Sequence, residues 1–275
     1  MMTEMILSRG DRRYVANLSD PLSIAMQLDF GGVQPNHFGA PPAEASALTD
    51  GRWIGDVRAG GSVNCERLSL VPHCNGTHTE CVGHLTSDRL AVHEVLRGGL
   101  SLARLVSVRP EPLGETGETA DPDAAPDEPV ITRAALAAIL AALPGEADAL
   151  VLRTLPNDSA KLGRRYLGEA PAAYLTPEAA AFAVALNVQH LIVDLPSLDR
   201  AHDRGRLVAH RTFWGLPAGS VRAHDAARRD ATVTELAWIA PTIHDGWYLL
   251  DLQVPAFLSD AVPSRPLLYR ARMHD

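Results

Sequence analysis

Apolar runs of strand length recur along the chain between more polar segments. Residues 102–108, 149–154 and 190–195 are each apolar and rich in β-branched side chains, which predicts three buried strands. Residues 14–18 and 65–71 predict two further strands nearer the N-terminus. The spacing of these runs is not that of a repeat protein.

Ala/Leu-rich segments lie between the later strands and predict helices. Thr132 is a typical N-cap residue for the first, which we expect to end near residue 143. Thr176 caps the second, Pro177 occupies its first turn, and we expect its end near residue 187. Because strands and helices alternate, the pattern predicts an α/β domain with helices outside a sheet.

Turn residues are more frequent in the first half of the chain. Residues 29–42 are rich in Gly and Pro and predict a loop. Residues 90–96 predict a short helix, which Gly98 and Gly99 end.

Composition narrows the class of protein. Of the 275 residues, 46% are hydrophobic and 21% are charged, as in an ordinary globular protein. The formal net charge of -8 argues against a nucleic-acid partner, and no apolar run approaches the ~18 residues of a membrane span. Three cysteines and no apolar leader predict a reducing, cytoplasmic location. The chain contains no Gly-x-Gly-x-x-Gly or P-loop sequence, so we expect no nucleotide cofactor.

Metal-ligand residues alternate in residues 74–84. If the segment is an extended strand, Cys74, His78 and Glu80 point to one face, and Gly76 leaves the space between them open. A thiolate, an imidazole and a carboxylate suit zinc above all, and three ligands leave a position open for water. His73 is a rival first ligand, but its parity in a strand directs it to the opposite face.

The same segment resembles the signature of the cyclase family of metal-dependent hydrolases, which includes bacterial kynurenine formamidase (arylformamidase) and isatin hydrolase. The family pattern is His-x-Gly-Thr-His-x-Asp-x-Pro-x-His. Four residues match it at the same spacing, namely Gly76, Thr77, His78 and His84. Three residues depart from it, with Cys74 in place of the first His, Glu80 in place of Asp and Val82 in place of Pro.

Other parts of the chain resemble the family in the same order along the sequence. These parts are residues 17–22, 130–133, 149–154, 174–180 and 190–199. Between them, residues 110–129 are acidic, rich in Pro, Gly and Thr, and nearly free of apolar residues. Because family-like sequence resumes afterwards, we interpret residues 110–129 as an exposed insertion in a single domain spanning residues 1–275. We expect its carboxylates to be solvated.

The resemblance implies a fold and an activity. The implied fold is α/β, a swivelling β/β/α-type single domain whose mixed central sheet is flanked by helices. The implied activity is metal-dependent hydrolysis of a C–N bond (amide or formamide) or a related C–O bond in a small molecule. Zinc is the expected metal and manganese the second choice. The resemblance also implies a homodimer or homotetramer.

The resemblance further assigns roles outside the ligand segment. His84 is the expected general base. His210 and Glu235 are expected to complete the metal site, bind the substrate or bridge to a second metal, so one and two metals both remain open. His37 and Phe38, in the loop that covers the active site in the family, are candidates for contacting the substrate.

Two alternatives to metal-dependent hydrolysis follow from the departures. The replaced ligands are compatible with a catalytically inactive, cyclase-like binding or assembly protein. Alternatively, Cys74 is a nucleophile with His78 or His84 as its base.

Overall fold

A mixed sheet of eleven strands forms the centre of the computed structural model, which describes residues 3–166 and 171–274. Two small sheets of three and two strands lie beside it among these residues. The strands of all three sheets, in chain order, are β1 Glu4–Arg9, β2 Arg12–Asn17, β3 Leu22–Ser23, β4 Glu44–Ala47, β5 Glu66–Ser69, β6 His78–Glu80, β7 Leu100–Val108, β8 Glu111–Pro112, β9 Pro129–Ile131, β10 Ala149–Thr154, β11 Tyr174–Leu175, β12 His190–Val193, β13 Thr232–Glu235, β14 Gly246–Asp251, β15 Ala261–Pro263 and β16 Leu267–His274.

Helices are short in the described part of the chain. The α-helices are α1 Pro72–Asn75, α2 Val92–Val95, α3 Arg133–Ala141, α4 Pro177–Ala185 and α5 Val208–Trp214. Single turns of 3₁₀-helix occur at Val57–Ala59, Val82–Leu85, Leu113–Glu115, Ser159–Gly163 and Ala223–Asp225. None of the helices in these ranges has the length and apolar character needed to cross a membrane.

Strand order in the large sheet is β1-β2-β16-β14-β7-β10-β12-β13-β6-β15, and β3 pairs with β16. Strands β7, β10, β12 and β13 are parallel to one another, and the strands on either side of this group pair antiparallel. This is the mixed central sheet that the family resemblance implied. The carboxyl end of β13 therefore meets the antiparallel strand β6, which carries the predicted ligand segment.

Both faces of the parallel strands are buried, which explains their continuous apolar sequence. On β10, Leu150 and Leu152 pack into a cluster that includes side chains of α3, α4 and α5. Val151, which points the other way, packs with Leu105 and Tyr248 on the opposite face. The helices thus cover one face of the sheet, and β10 has the bounds predicted for residues 149–154.

The two principal helices begin where the sequence predicted. Thr132 and Thr176 accept hydrogen bonds from the backbone N–H groups of Ala135 and Ala179, as N-cap residues do. Both helices end two residues before the predicted bounds. The helix predicted at residues 90–96 is a single turn, α2.

The acidic segment 110–129 is attached to the domain through ion pairs and helix caps. The Glu118 carboxylate accepts the N–H groups of Arg133 and Ala134 at the start of α3. Glu128 is 6% exposed and pairs with Arg200 at 2.7 Å. The prediction that these carboxylates are solvated is therefore wrong for Glu128, because its hydrogen bonds to the Arg200 guanidinium replace its hydration.

Candidate metal centre

Strand β6 lies between β13 and β15 and places two predicted ligands side by side. His78 and Glu80 are 0% exposed and share one face of the strand. The register pairs His78 with Glu235 of β13, whose Oε2 lies 3.5 Å from His78 Nε2. Thr79, on the opposite face, bonds to Thr234 at 2.8 Å. Strand pairing alone therefore brings Glu235, distant in sequence, to the ligand segment.

The residues before β6 are helical, which overturns the predicted strand register. Pro72–Asn75 forms the turn α1, so alternation does not apply there. His73 faces the centre instead, and its Nδ1 lies 3.0 Å from Glu80 Oε2. Cys74 is buried but belongs to none of the groups of metal-ligand atoms found among the described residues. The structure thus brings His73, not Cys74, next to His78 and Glu80.

His210 reaches the centre from helix α5. Its Nε2 lies 2.9 Å from Glu80 Oε1 and 3.2 Å from Glu235 Oε1. Its Nδ1 donates to Asp199 at 2.6 Å, and the same carboxylate accepts the backbone N–H groups of Ala209 and His210. Asp199 therefore caps the helix and fixes the ring so that Nε2 faces the two glutamates.

Charges of opposite sign stabilise one another in this buried centre. Burial would raise the pKa of Glu80, but the imidazoles of His84, His210 and His73 hold it well below its ordinary value. Burial and the Glu80 charge raise the pKa of Glu235, but the neighbouring imidazoles of His210 and His78 lower it to about 2. Both glutamates are therefore ionised, as metal ligands must be.

The pKa values of two imidazoles in the centre are shifted upward. Burial lowers the pKa of His73, but the adjacent carboxylates of Asp260 and Glu80 raise it to about 10. Burial also lowers the pKa of His210, and the Glu80 charge raises it well above its ordinary value. Without a metal both rings are therefore imidazolium cations, with a proton on each nitrogen. A metal ion would have to compete with protons for these nitrogen atoms.

A partly exposed rim lies on the solvent side of the buried ligands. His84, in the 3₁₀ turn Val82–Leu85, stacks on His73 with ring centroids 4.2 Å apart. Asp260 Oδ2 lies 2.9 Å from His73 Nε2 and 3.5 Å from His84 Nδ1. Sequence analysis did not predict Asp260, and no motif around it could have indicated its place.

His37 lies near the centre, and Phe38 lies beside it. The His37 backbone N–H donates to the Cys74 carbonyl, and its ring is 2% exposed. Neither ring nitrogen has a hydrogen-bond partner among the described residues. Burial lowers the pKa of His37 to about 4, so the imidazole is neutral. Phe38 is 54% exposed, and its ring lies 3.8 Å from that of His37.

The donor set fits one or two divalent cations. Three groups of side chains in the described ranges could hold an ion, namely His73, His78 and Glu80, then Glu80, His210 and Glu235, and then His73, His84 and Asp260. His78 Nε2 and Glu80 Oε2 are buried, and in this part of the chain neither makes a hydrogen bond of normal geometry beyond the ion-pair contacts with Glu235 and His73. Such orphaned atoms are costly unless something binds them. Imidazole and carboxylate donors suit zinc or manganese.

Gly76 has the open surroundings that the sequence predicted, whereas those of Cys74 disfavour the predicted thiolate. A Cβ atom at Gly76 would meet nothing within 4 Å, so the space in front of it is open. Burial raises the pKa of the Cys74 thiol, and the Glu235 charge raises it further. A raised pKa disfavours the thiolate, which argues against Cys74 as a nucleophile.

Comparison with known families identifies the chain. The family model Cyclase matches residues 17–200. The chain belongs to the cyclase family. The matched part contains His78, Glu80 and His84, whereas His210, Glu235 and Asp260 lie beyond its end. No curated protein matches the chain by sequence.

Solved structures share the fold of this cyclase-family protein at low sequence identity. A "potential metal-dependent hydrolase with cyclase activity" has a TM-score of 0.59 at 15% identity, covering 91% of this chain and 97% of the other. Isatin hydrolase A from Ralstonia solanacearum has a TM-score of 0.62 at 14% identity, covering 91% of each chain. Isatin hydrolase A from Labrenzia aggregata, bound to benzyl benzoate, has a TM-score of 0.59 at 15% identity and covers 91% and 93%. The family match confirms the predicted family, and these structures confirm its mixed α/β domain.

Proposed function

We propose that the protein is a metal-dependent hydrolase that cleaves an amide or formamide C–N bond, or a related C–O bond, in a small molecule. The observation that carries the proposal is the buried centre, where orphaned ligand atoms of His78 and Glu80 face Glu235 and His210. Membership in the cyclase family and the folds of an isatin hydrolase and a metal-dependent hydrolase support the same activity.

Two overlapping sets of residues would hold the metal. His73, His78 and Glu80 would hold one ion. Glu80, His210 and Glu235 would hold a second ion, so Glu80 belongs to both sets. We propose zinc as the natural ion and manganese as a substitute. The bound ion would lower the pKa of a water molecule and polarise the bond to be cleaved.

His84 is the proposed general base. Its Nδ1 is on the Asp260 side, so Nε2 remains to accept a proton from the attacking water. The water oxygen forms the new C–O bond, the C–N bond breaks, and His84 returns the proton to the departing nitrogen. A partly exposed imidazole at the rim can exchange the remaining proton with solvent.

His37 and Phe38 are the proposed substrate contacts. The neutral His37 ring offers one donor and one acceptor nitrogen without a partner in the described residues. Phe38 extends an apolar ring over it toward solvent. Together they suit a planar amide attached to an aromatic ring, as in an N-formyl arylamine or isatin.

The test is hydrolysis of isatin, an N-formyl arylamine and an aryl ester by protein loaded with Zn²⁺ or Mn²⁺. Chelation should abolish turnover, and either ion should restore it. His84→Ala should retain metal and lose turnover, whereas His93→Ala, at a residue whose ring hydrogen-bonds to the Phe257 carbonyl, serves as the control. Full activity after exhaustive removal of metal would contradict the proposal.

A binding or assembly protein is the second candidate. Cys74 at the first family ligand position, buried and with a raised thiol pKa, is the observation that favours it. Purified protein that takes up neither Zn²⁺ nor Mn²⁺ would support this alternative and exclude hydrolysis by the proposed route.

A further inference from the structure

Asp260 is placed at the metal centre by strand pairing. It directly precedes β15, whose Ala261 pairs with Glu80 of β6. The Asp260 carbonyl accepts the Cys81 backbone N–H at 3.0 Å, which extends this pairing by one bond. The Asp260 side chain is therefore held beside the solvent-facing end of the ligand strand, although 180 residues separate Asp260 from Glu80 along the chain.

One oxygen atom of Asp260 serves two imidazoles. Oδ2 lies 2.9 Å from His73 Nε2 and 3.5 Å from His84 Nδ1, and the two rings stack at 4.2 Å. A carboxylate accepts hydrogen bonds only, so each nitrogen that bonds to it must carry the proton.

This arrangement selects the free nitrogen of each ring. Because Asp260 holds the Nε2 proton of His73, a metal ion would displace the other proton, the one on Nδ1, which lies 3.0 Å from Glu80 and is the nitrogen that must ligate. With a proton on Nδ1, His84 keeps the Nε2 lone pair, which a base requires. The two roles depend on opposite tautomers, and a single carboxylate oxygen enforces both.

We propose that Asp260 is a positioning residue that orients the metal ligand His73 and the general base His84 together. This inference rests on the proposed hydrolase function. Nothing in the family match reaches Asp260, because the matched part ends at residue 200.

The Asp260 variants are expected to fold. The Asp260 side chain is 35% exposed, and the backbone bond to Cys81 does not involve it. Asp260→Ala removes the acceptor, and Asp260→Asn keeps a neutral one. Asp251→Asn is the matched control, since that carboxylate bonds to Gln253 away from the centre.

The first experiment concerns His84 and requires neither metal nor substrate. Nitrogen-15 NMR of the metal-free protein, at a pH where the ¹⁵N shifts show His84 to be neutral, reports which ring nitrogen carries the proton. We expect the Nδ1–H form in wild type and in the Asp251→Asn control. In Asp260→Ala we expect the Nε2–H form that free imidazole favours. An unchanged tautomer overturns the role toward His84.

The second experiment measures Zn²⁺ affinity by competition with a chromophoric chelator. Asp260→Ala should bind Zn²⁺ about 10–100-fold more weakly than wild type at unchanged stoichiometry, with Asp260→Asn in between. Unchanged affinity overturns the role toward His73. Loss of one ion per chain instead makes Asp260 a ligand and overturns the positioning role. Wild-type protein that binds neither Zn²⁺ nor Mn²⁺ contradicts the proposed function, and the His84 tautomer then decides the inference by itself.

Discussion

His210 Nε2 lies 2.9 Å from Glu80 Oε1, joining helix α5 to strand β6 across 130 residues of sequence. Asp199 orients the ring from the opposite side, because its Oδ2 accepts a hydrogen bond from His210 Nδ1 at 2.6 Å. This chain of carboxylate, imidazole and carboxylate resembles the outer support common around protein metal sites, in which a carboxylate fixes the tautomer of a ligating histidine.

We expect Asp199→Asn to weaken metal binding about 10–100-fold, because the neutral amide no longer fixes the His210 ring. It should also lower the free energy of unfolding by about 0.5–2 kcal/mol, since Asp199 caps α5. Zn²⁺ titration and urea unfolding provide the two measurements. The control Asp203→Asn alters a carboxylate in the same loop that caps Gly205 and Leu207 instead. Equal Zn²⁺ affinity in the two variants would contradict the expectation.

We expect His78→Ala and Glu80→Ala each to lose bound metal. Both side chains belong to a group of possible ligands, and Glu80 belongs to two such groups. Elemental analysis of the purified variants is the measurement. His224→Ala, at a residue whose side chain is 64% exposed, should keep the wild-type metal content. A Glu80→Ala protein that retains its full metal content would remove Glu80 from the proposed site.

His73→Ala should reduce metal content strongly, and Cys74→Ala should change it little. The reason is geometric, because the helical turn α1 directs His73 rather than Cys74 toward Glu80. Elemental analysis together with Zn²⁺ titration distinguishes them. The opposite result, metal lost from Cys74→Ala alone, would restore Cys74 as the first ligand and require the turn to rearrange around the ion.

His190 should make stability depend on pH outside the metal centre. Burial lowers the pKa of His190 to about 4, below its ordinary value of 6.5. Between these values the unfolded chain binds a proton that the folded chain does not, so stability falls as pH is lowered through this window. When the pH is lowered from 7 to 5, the free energy of unfolding should decrease in both proteins. The decrease should be about 1–2 kcal/mol smaller in His190→Gln than in wild type. Urea unfolding at both pH values is the measurement. An equal change in the free energy of unfolding between pH 7 and pH 5 in the two proteins would contradict the expectation.

Lys161 and Asp194 form a buried ion pair at 2.7 Å, with side chains 7% and 0% exposed. Burial raises the pKa of Asp194, and the Lys161 charge opposes that rise. Lys161→Ala leaves a buried carboxylate without its cation and should cost about 3–5 kcal/mol of unfolding free energy. Asp158→Ala, at the exposed cap of the same 3₁₀ turn, is the control in thermal or urea unfolding. A Lys161→Ala loss no larger than that of the control would contradict the expectation.

The sequence by itself determined the elements whose signals are local. The continuous apolar run of β10 is sufficient to predict a strand that is buried on both faces. Thr132 and Thr176 each bond to a backbone N–H group three residues later, so these helix starts are also local signals. The segment containing His78, Glu80 and His84 was likewise recognisable from spacing, because its resemblance to the family depends on neighbouring positions.

Only the tertiary structure decided which residues join that segment. Parity predicted Cys74 on the ligand face, but Pro72 begins a helical turn, and the turn directs His73 there. Glu235 and Asp260 reach the site through pairing of β13 and β15 with β6, and His210 reaches it on α5. Strand pairing and helix packing act between residues far apart in sequence, so no local pattern contains them. Strand pairing and helix packing decide which residues form the centre, because a side chain displaced by a few ångströms from the metal position cannot be a ligand.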